Sequence, residues 1–284
     1  MSEKINCALI TVCSRTDEYG YEMLKKSVDK FNWPFYCLKT EWKGFGTKLI
    51  TTYQFLKSDE ANDITHFFFC DAYDVVVLGT MDEAISKIED KSKIVVGAER
   101  GLWPPDLQVH DSKFEHFDHG FNYVNSGLYF APKEVFIGYF EVNKPEYSTD
   151  DQKWLTETYL NQKNDNIVLD NNCNVFQNYS FLKDNDYDYG FTRLINKNTD
   201  TQPVFVHGNG RTDLTKVYEL INGKPKISDL NIYTDLIEKI NNQPWQTVPS
   251  KKYCMDLASK IPYNTLDELI CNAEKIQKYL TESI

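Results

Sequence analysis

Short apolar runs alternate with helically spaced apolar residues along the first two-thirds of the chain, a pattern that predicts βαβ units feeding a sheet. The run from Cys7 to Cys13 (CALITVC) reads as a buried strand, being short, continuous and rich in branched side chains. Met23, Leu24, Val28 and Phe31 then recur at helical spacing. A second strand is expected at Phe35 to Leu38 and a second helix at Leu49 to Lys57. Thr65 to Cys70 (THFFFC) is the most apolar strand and stops abruptly at Asp71. A helix over Met81 to Glu89 follows, then strands at Ile94 to Ala98 and Val124 to Phe130. Asp150 to Tyr159 reads as a helix, opened by two acids that favour its dipole. Further strands are expected at Val175 to Tyr179, Tyr189 to Leu194 and Pro203 to Val206.

Beyond His207 only helical patterns remain, at Ser228 to Ile240 and Leu266 to Tyr279, and the stretch around Pro244 to Lys252 reads as a linker between core and tail. The reading is an α/β domain over 1–212 and a helical C-terminal extension over 213–284 packed on it. The extension carries apolar stripes, Leu230, Ile232, Tyr233, Leu236 and Ile240, then Leu266, Leu269, Ile270, Ala273, Ile276 and Leu280. Such faces must be buried, on the chain's own sheet or in a homodimer.

Composition narrows the partners. The 284 residues can bury a full core. A net charge of -11 argues against a nucleic-acid partner and against an anionic membrane surface, since both need a basic face. The 7 cysteines lack CxxC spacing and read as reduced thiols. The first residues lead straight into a strand without the apolar segment of a signal peptide. No apolar run approaches the ~18 residues of a membrane span. The expectation is a soluble, cytoplasmic protein.

Candidate chemistry lies where strands end, because ligands of open α/β sheets bind beyond the carboxyl ends of the strands. Phe67-Phe68-Phe69-Cys70 runs directly into Asp71-Ala72-Tyr73-Asp74, placing two carboxylates three residues apart. Hard oxygen donors of this kind suit Mn²⁺ or Mg²⁺ against a diphosphate, although acids after a strand also cap turns. Phe205-Val206 runs into His207-Gly208-Asn209-Gly210, an imidazole followed by glycines that let backbone approach a ligand, or that simply make a turn. Asn125-Ser126-Gly127 interrupts a strand, where a glycine suggests close approach of a ligand or of another backbone. Asp150-Asp151-Gln152 opens a helix, where an N-cap pair is an adequate reading. Glu99 to Trp103 follows a strand and leads into Pro104-Pro105 and a long loop.

In this order the pieces resemble the glycosyltransferase domain of the multifunctional procollagen lysyl hydroxylases. The resemblance covers about Leu9 to Gly210. It runs through Ile10-Thr11-Val12, Glu18-Tyr19-Gly20-Tyr21, Glu41-Trp42, Lys48 and Asp71-Ala72-Tyr73-Asp74-Val75. It continues through Ala98-Glu99, Trp103-Pro104, Asn125-Ser126-Gly127, Asp150-Asp151-Gln152, Phe176-Gln177-Asn178 and His207-Gly208-Asn209-Gly210. It implies a GT-A-type nucleotide-binding fold with a mostly parallel central sheet flanked by helices. Asp71, Asp74 and His207 would hold Mn²⁺ against UDP. Trp42 and Tyr73 would flank the uracil, with Thr11, Lys48, Gly208, Asn209 and Gly210 also serving the nucleotide. Asp150 and Asp151 would line the reaction centre, and Glu99, Trp103 and Asn125 would face donor sugar and acceptor.

The implied reaction is transfer of glucose from UDP-glucose to galactosyl-hydroxylysine of collagen-like chains, with retention. Transfer from UDP-galactose to hydroxylysine is the alternative, another UDP-sugar transferase a second, and a non-catalytic nucleotide- or carbohydrate-binding module the reading from another class. The family works in the endoplasmic reticulum. Where it places a phosphate-reaching lysine after Asn-Gly, this chain has Asp213, and Lys216 is the candidate replacement. No His follows His207, so no iron site for hydroxylation is expected in the tail.

Overall fold

The computed structural model describes residues 5–190 and 193–222. The chain divides into two units, Met1–Ile221 and Asn222–Ile284. The helices expected at Ser228 to Ile240 and Leu266 to Tyr279, and the homodimer built on their stripes, lie outside the described residues.

The first unit is built on a six-stranded sheet in the order β2-β1-β3-β6-β5-β7. Its strands are β1 (Cys7–Cys13), β2 (Phe35–Lys39), β3 (His66–Cys70), β5 (Ile94–Glu99), β6 (Tyr123–Pro132) and β7 (Ile167–Asp170). The pairs β1–β2, β1–β3 and β5–β7 are parallel, whereas β6 runs antiparallel to both its neighbours. The sheet is therefore mixed, flanked by helices as expected of a GT-A fold.

The sheet is buried on both faces, which explains why β3 reads as an unbroken apolar run and not as an alternating one. Phe67 and Phe69 point into a core with α2 (Gly46–Leu56), α4 (Lys133–Val142) and α5 (Asp151–Asn161). Phe68 and Cys70 point to the opposite core, which holds α1 (Tyr19–Lys30), α3 (Met81–Ser86) and part of a second sheet. That second sheet has the order β4-β11-β8, from β4 (Val75–Val77), β11 (Phe205–His207) and β8 (Phe176–Asn178).

One expectation changes, and several elements are added. The single strand expected from Tyr189 to Leu194 is instead an antiparallel hairpin of β9 (Tyr187–Tyr189) and β10 (Leu194–Asn196). The Gly190 N–H donates to the Arg193 carbonyl at 2.8 Å, across the hairpin. Before the expected tail helices comes α6 (Thr215–Asn222), whose Asp213 carboxylate accepts from the Thr215 N–H and hydroxyl. Asp213 thus serves a helix start, at the position where the resemblance implies a lysine. The helix α4, burying Phe136, Ile137 and Phe140 on one face, and the short strands β4 and β7 join the elements expected.

Candidate active site

The second sheet brings the two sequence signals together. Asp71 follows the end of β3, and four residues later the chain enters β4 at Val75, which pairs antiparallel with β11 in a register that sets His207 opposite Val75. The Gly208 N–H donates to the Asp74 carbonyl at 2.7 Å. Asp71, Asp74 and His207 thereby each offer a ligand atom, all within 4.8 Å of one another. His207 Nε2 lies 3.4 Å from Asp74 Oδ2 and 3.7 Å from Asp71 Oδ2.

The imidazole tautomer follows from its neighbours. His207 Nδ1 meets Asn178 Oδ1 at 2.8 Å and Asn125 Oδ1 at 3.1 Å. Both amides are oriented by their other ends: Asn178 Nδ2 donates to the Ala98 carbonyl, and Asn125 Nδ2 donates to Glu99 Oε1. Two acceptors therefore face Nδ1, so that nitrogen carries a proton, and Nε2 is the ring nitrogen left facing the carboxylates. Burial acts to lower the His207 pKa, but the carboxylates, Asp74 foremost, hold it above its ordinary value. Asp74 is held below the usual carboxylate range, since His207 outweighs the cost of its burial.

Two hard carboxylate oxygens and one imidazole nitrogen are a donor set fitted to a divalent cation. The space beside them is kept open by Gly127. A Cβ there would come within 2.2 Å of His207 Cε1 and 2.9 Å of Asp71 Oδ2. Gly127 reaches this place through a bulge: one step on β5, Val96 to Gly97, spans Tyr129 to Asn125 on β6. The irregularity read in the sequence as an interrupted strand is thus what aims Asn125, Ser126 and Gly127 at the site.

Lys48 joins the acidic groups. From α2 its ammonium reaches Asp71 Oδ1 at 2.8 Å and Asp151 Oδ2 at 2.6 Å. Burial works against its charge and is outweighed by Asp151 and then Asp71, which raise its pKa. Asp151 also accepts from the Ser126 hydroxyl at 2.8 Å. Asp150 plays the other part foreseen for this pair, capping α5 by accepting from the Lys153 N–H.

Glu99 lies behind these groups. Its Oε1 accepts from Asn125 Nδ2 and Gln152 Nε2, and its Oε2 from Asn209 Nδ2. Burial pushes its carboxyl from 4.5 up to about 7 despite those donors. The fold therefore holds a proton that the unfolded chain releases, and the associated stability is complete below pH 4.5 and lost as pH rises through about 7. Melting temperature of the wild type is expected to fall more steeply across that window than that of Glu99→Gln. Parallel curves for the two proteins would contradict this assignment.

The remaining expected residues take several positions. Thr11 is buried, and its hydroxyl donates to the Cys70 carbonyl next to Asp71. The Tyr73 hydroxyl accepts from the Ser14 and Arg15 N–H groups, fixing a partly exposed ring at the end of β1. Trp42 is exposed and meets Phe45 edge-on. Asn209 Oδ1 accepts from the Tyr179 and Ser180 N–H groups, and Gly210 has a positive φ of 70°. Trp103 is exposed on the loop after β5. The Lys216 ammonium lies 5.7 Å from the Tyr189 ring centroid. Gln152, Ser126 and Asn178, which lie in motifs of the resemblance but had no role there, orient the others; the spacing of single residues gives no sign of such roles.

A family model described as the PLOD GT domain matches residues 3–226. Procollagen-lysine,2-oxoglutarate 5-dioxygenase 1 of Mus musculus is 28% identical over 230 residues, covering 75% of this chain and 31% of that protein. Procollagen-lysine,2-oxoglutarate 5-dioxygenase 2 of Homo sapiens is 28% identical over 233 residues, covering 74% and 30%. This chain thus spans less than a third of the length of these curated relatives. Among solved structures, a glycosyltransferase involved in the glycosylation of the major capsid of PBCV-1 aligns with a TM-score of 0.50 at 12% identity, over 76% of this chain and 99% of that one, a likeness of fold. Among the described residues no helix is long and apolar enough to cross a membrane. The family match runs through Asp71, Asp74 and His207 as well as through the strands that assemble them, so this chain belongs to the PLOD glycosyltransferase-domain family and is a glycosyltransferase.

Proposed function

We propose that the chain is a Mn²⁺-dependent hexosyltransferase that moves glucose from UDP-glucose to galactosyl-hydroxylysine of collagen-like chains. The observation that carries this reading is the convergence of Asp71, Asp74 and His207 with the Lys48–Asp151 pair in one cluster. A binding module that had lost catalysis would have no use for a fixed histidine tautomer and a buried lysine between two carboxylates. Asp71, Asp74 and His207 would hold the metal, which supplies neutralisation of charge on the departing diphosphate.

The chain's own residues do the rest. Lys48 pairs with Asp71 and Asp151 and holds them in place. Asp151, fixed by Ser126, offers negative charge to the cationic sugar that develops as the glycosidic bond breaks. Tyr73 and Trp42 present ring faces for the uracil, and Asn209 and its flanking glycines shape the loop beside the metal ligands. Trp103 serves the acceptor side.

Assay of UDP-glucose and UDP-galactose, each with hydroxylysine and galactosyl-hydroxylysine peptides, with and without Mn²⁺, tests the proposal. Turnover is expected with UDP-glucose, galactosyl-hydroxylysine and Mn²⁺ together. Turnover confined to UDP-galactose and hydroxylysine would replace it with the preceding step. UDP binding without transfer to either acceptor, or turnover that ignores chelator, would overturn it.

A further inference from the structure

Phe181 combines two unfavourable properties. It is 73% exposed, and its φ is 63°, in the left-handed region that a bulky side chain enters only at a steric cost. The conformation is imposed from both sides. Just before it, the Tyr179 and Ser180 N–H groups are held by Asn209 Oδ1, and the Tyr179 N–H also meets the His207 carbonyl. Just after it, the Lys183 N–H donates to the Asp186 carboxylate, which is paired with Arg100 at 2.9 Å. Surroundings that over-determine a strained residue are a mark of functional positions.

The ring itself lies on Gly101. A Cβ at Gly101 would come within 2.5 Å of Phe181 Cε2, so the missing side chain is what seats the ring. Two residues further along the same loop, Trp103 is 59% exposed. Two aromatic rings thus stand on one rim, on segments that begin at Glu99 and Asn178, which belong to the network around His207. This rim is at the β5 and β8 ends. The Tyr73 ring is anchored at the end of β1, separated from β5 in the sheet by β3 and β6. The metal-ligand cluster lies between them, at the ends of β3 and β11. A donor with its base beside Tyr73 and its diphosphate at the cluster leaves the Phe181 rim to the other substrate.

We propose that Phe181 and Trp103 form an acceptor subsite that takes a hexose ring, such as galactose, by its C–H face. This rests on the glycosyltransferase reading above, and gives the acceptor's sugar a specific place. An aromatic face is matched to the apolar face of a pyranose, and a ring held rigidly on backbone loses little freedom when the sugar stacks on it.

Phe181→Gly tests it with little burden on folding, because glycine occupies a left-handed φ without strain. Equilibrium binding of galactosyl-hydroxylysine is measured by saturation-transfer NMR and by tryptophan fluorescence, in the presence of Mn²⁺ and UDP. The variant is expected to bind it about tenfold more weakly, and Phe181→Tyr to restore affinity. UDP binding and melting temperature are read on the same samples. A wild type that binds no galactosyl-hydroxylysine, or a Phe181→Gly protein that binds it within about twofold of wild type, overturns the subsite. Failure of the wild type to bind UDP with Mn²⁺ would instead remove the glycosyltransferase reading on which the subsite depends, and the subsite with it.

Discussion

Asp71→Asn is expected to lower sugar transfer by about a thousandfold, since the metal's stabilisation of a leaving diphosphate is worth several kcal/mol and each ~1.4 kcal/mol is a factor of ten. The folded state should survive. Asp71 sits at the end of β3, partly exposed and outside both cores, and asparagine keeps its shape. Its Lys48 partner retains Asp151. The test need not depend on turnover. A cation present at a hundred times its dissociation constant stabilises a fold by about 2.7 kcal/mol, so Mn²⁺ should raise the melting temperature of the wild type and leave that of Asp71→Asn nearly unmoved. Equal Mn²⁺ shifts in the two proteins, or an active Asp71→Asn enzyme, would remove the proposed metal site.

Lys48→Met carries the second large effect, and here stability and activity should fall together. The lysine side chain is 11% exposed and Asp151 only 6%. Removing the ammonium leaves a buried carboxylate unpaired, a change that costs about 3 kcal/mol or more. Transfer should drop at least about a hundredfold, as Asp71 and Asp151 lose the charge that holds them in place. The double variant Lys48→Met with Asp151→Asn separates the two losses. Neutralising the orphaned carboxylate should return most of the melting temperature while transfer stays low. Additive losses of stability in the double variant would mean that the two residues do not act as a pair.

Much of this architecture was legible in the residues themselves. The buried run ending at Asp71 needs no partner to be recognised, because a strand covered on both faces is apolar at every position and a carboxylate cannot continue it. His207 followed by Gly-Asn-Gly is legible for the same reason. The order of those pieces carried the family resemblance, including Lys48, Glu99 and the Asp150-Asp151 pair. The division of labour within that last pair was not legible: adjacent acids at a helix start look alike in sequence, and only the fold turns one to cap the helix and the other to Lys48.

What the tertiary structure alone decided is how distant residues meet. The pairing of β4 with β11 joins Asp74 to His207 across nearly half of the chain, and no periodicity encodes which strand lies beside which. The bulge between β5 and β6 sets Gly127 against His207, although an isolated glycine in a strand pattern can mean several things. Glu99 is raised toward neutrality by burial, a property of the packed surroundings and not of its neighbours in sequence. Local patterns specify strands, helices and the chemistry at their ends, because those depend on side-chain period and residue type. Register, tautomer and charge state depend on contacts between segments far apart in the chain, and they exist only once the sheets have formed.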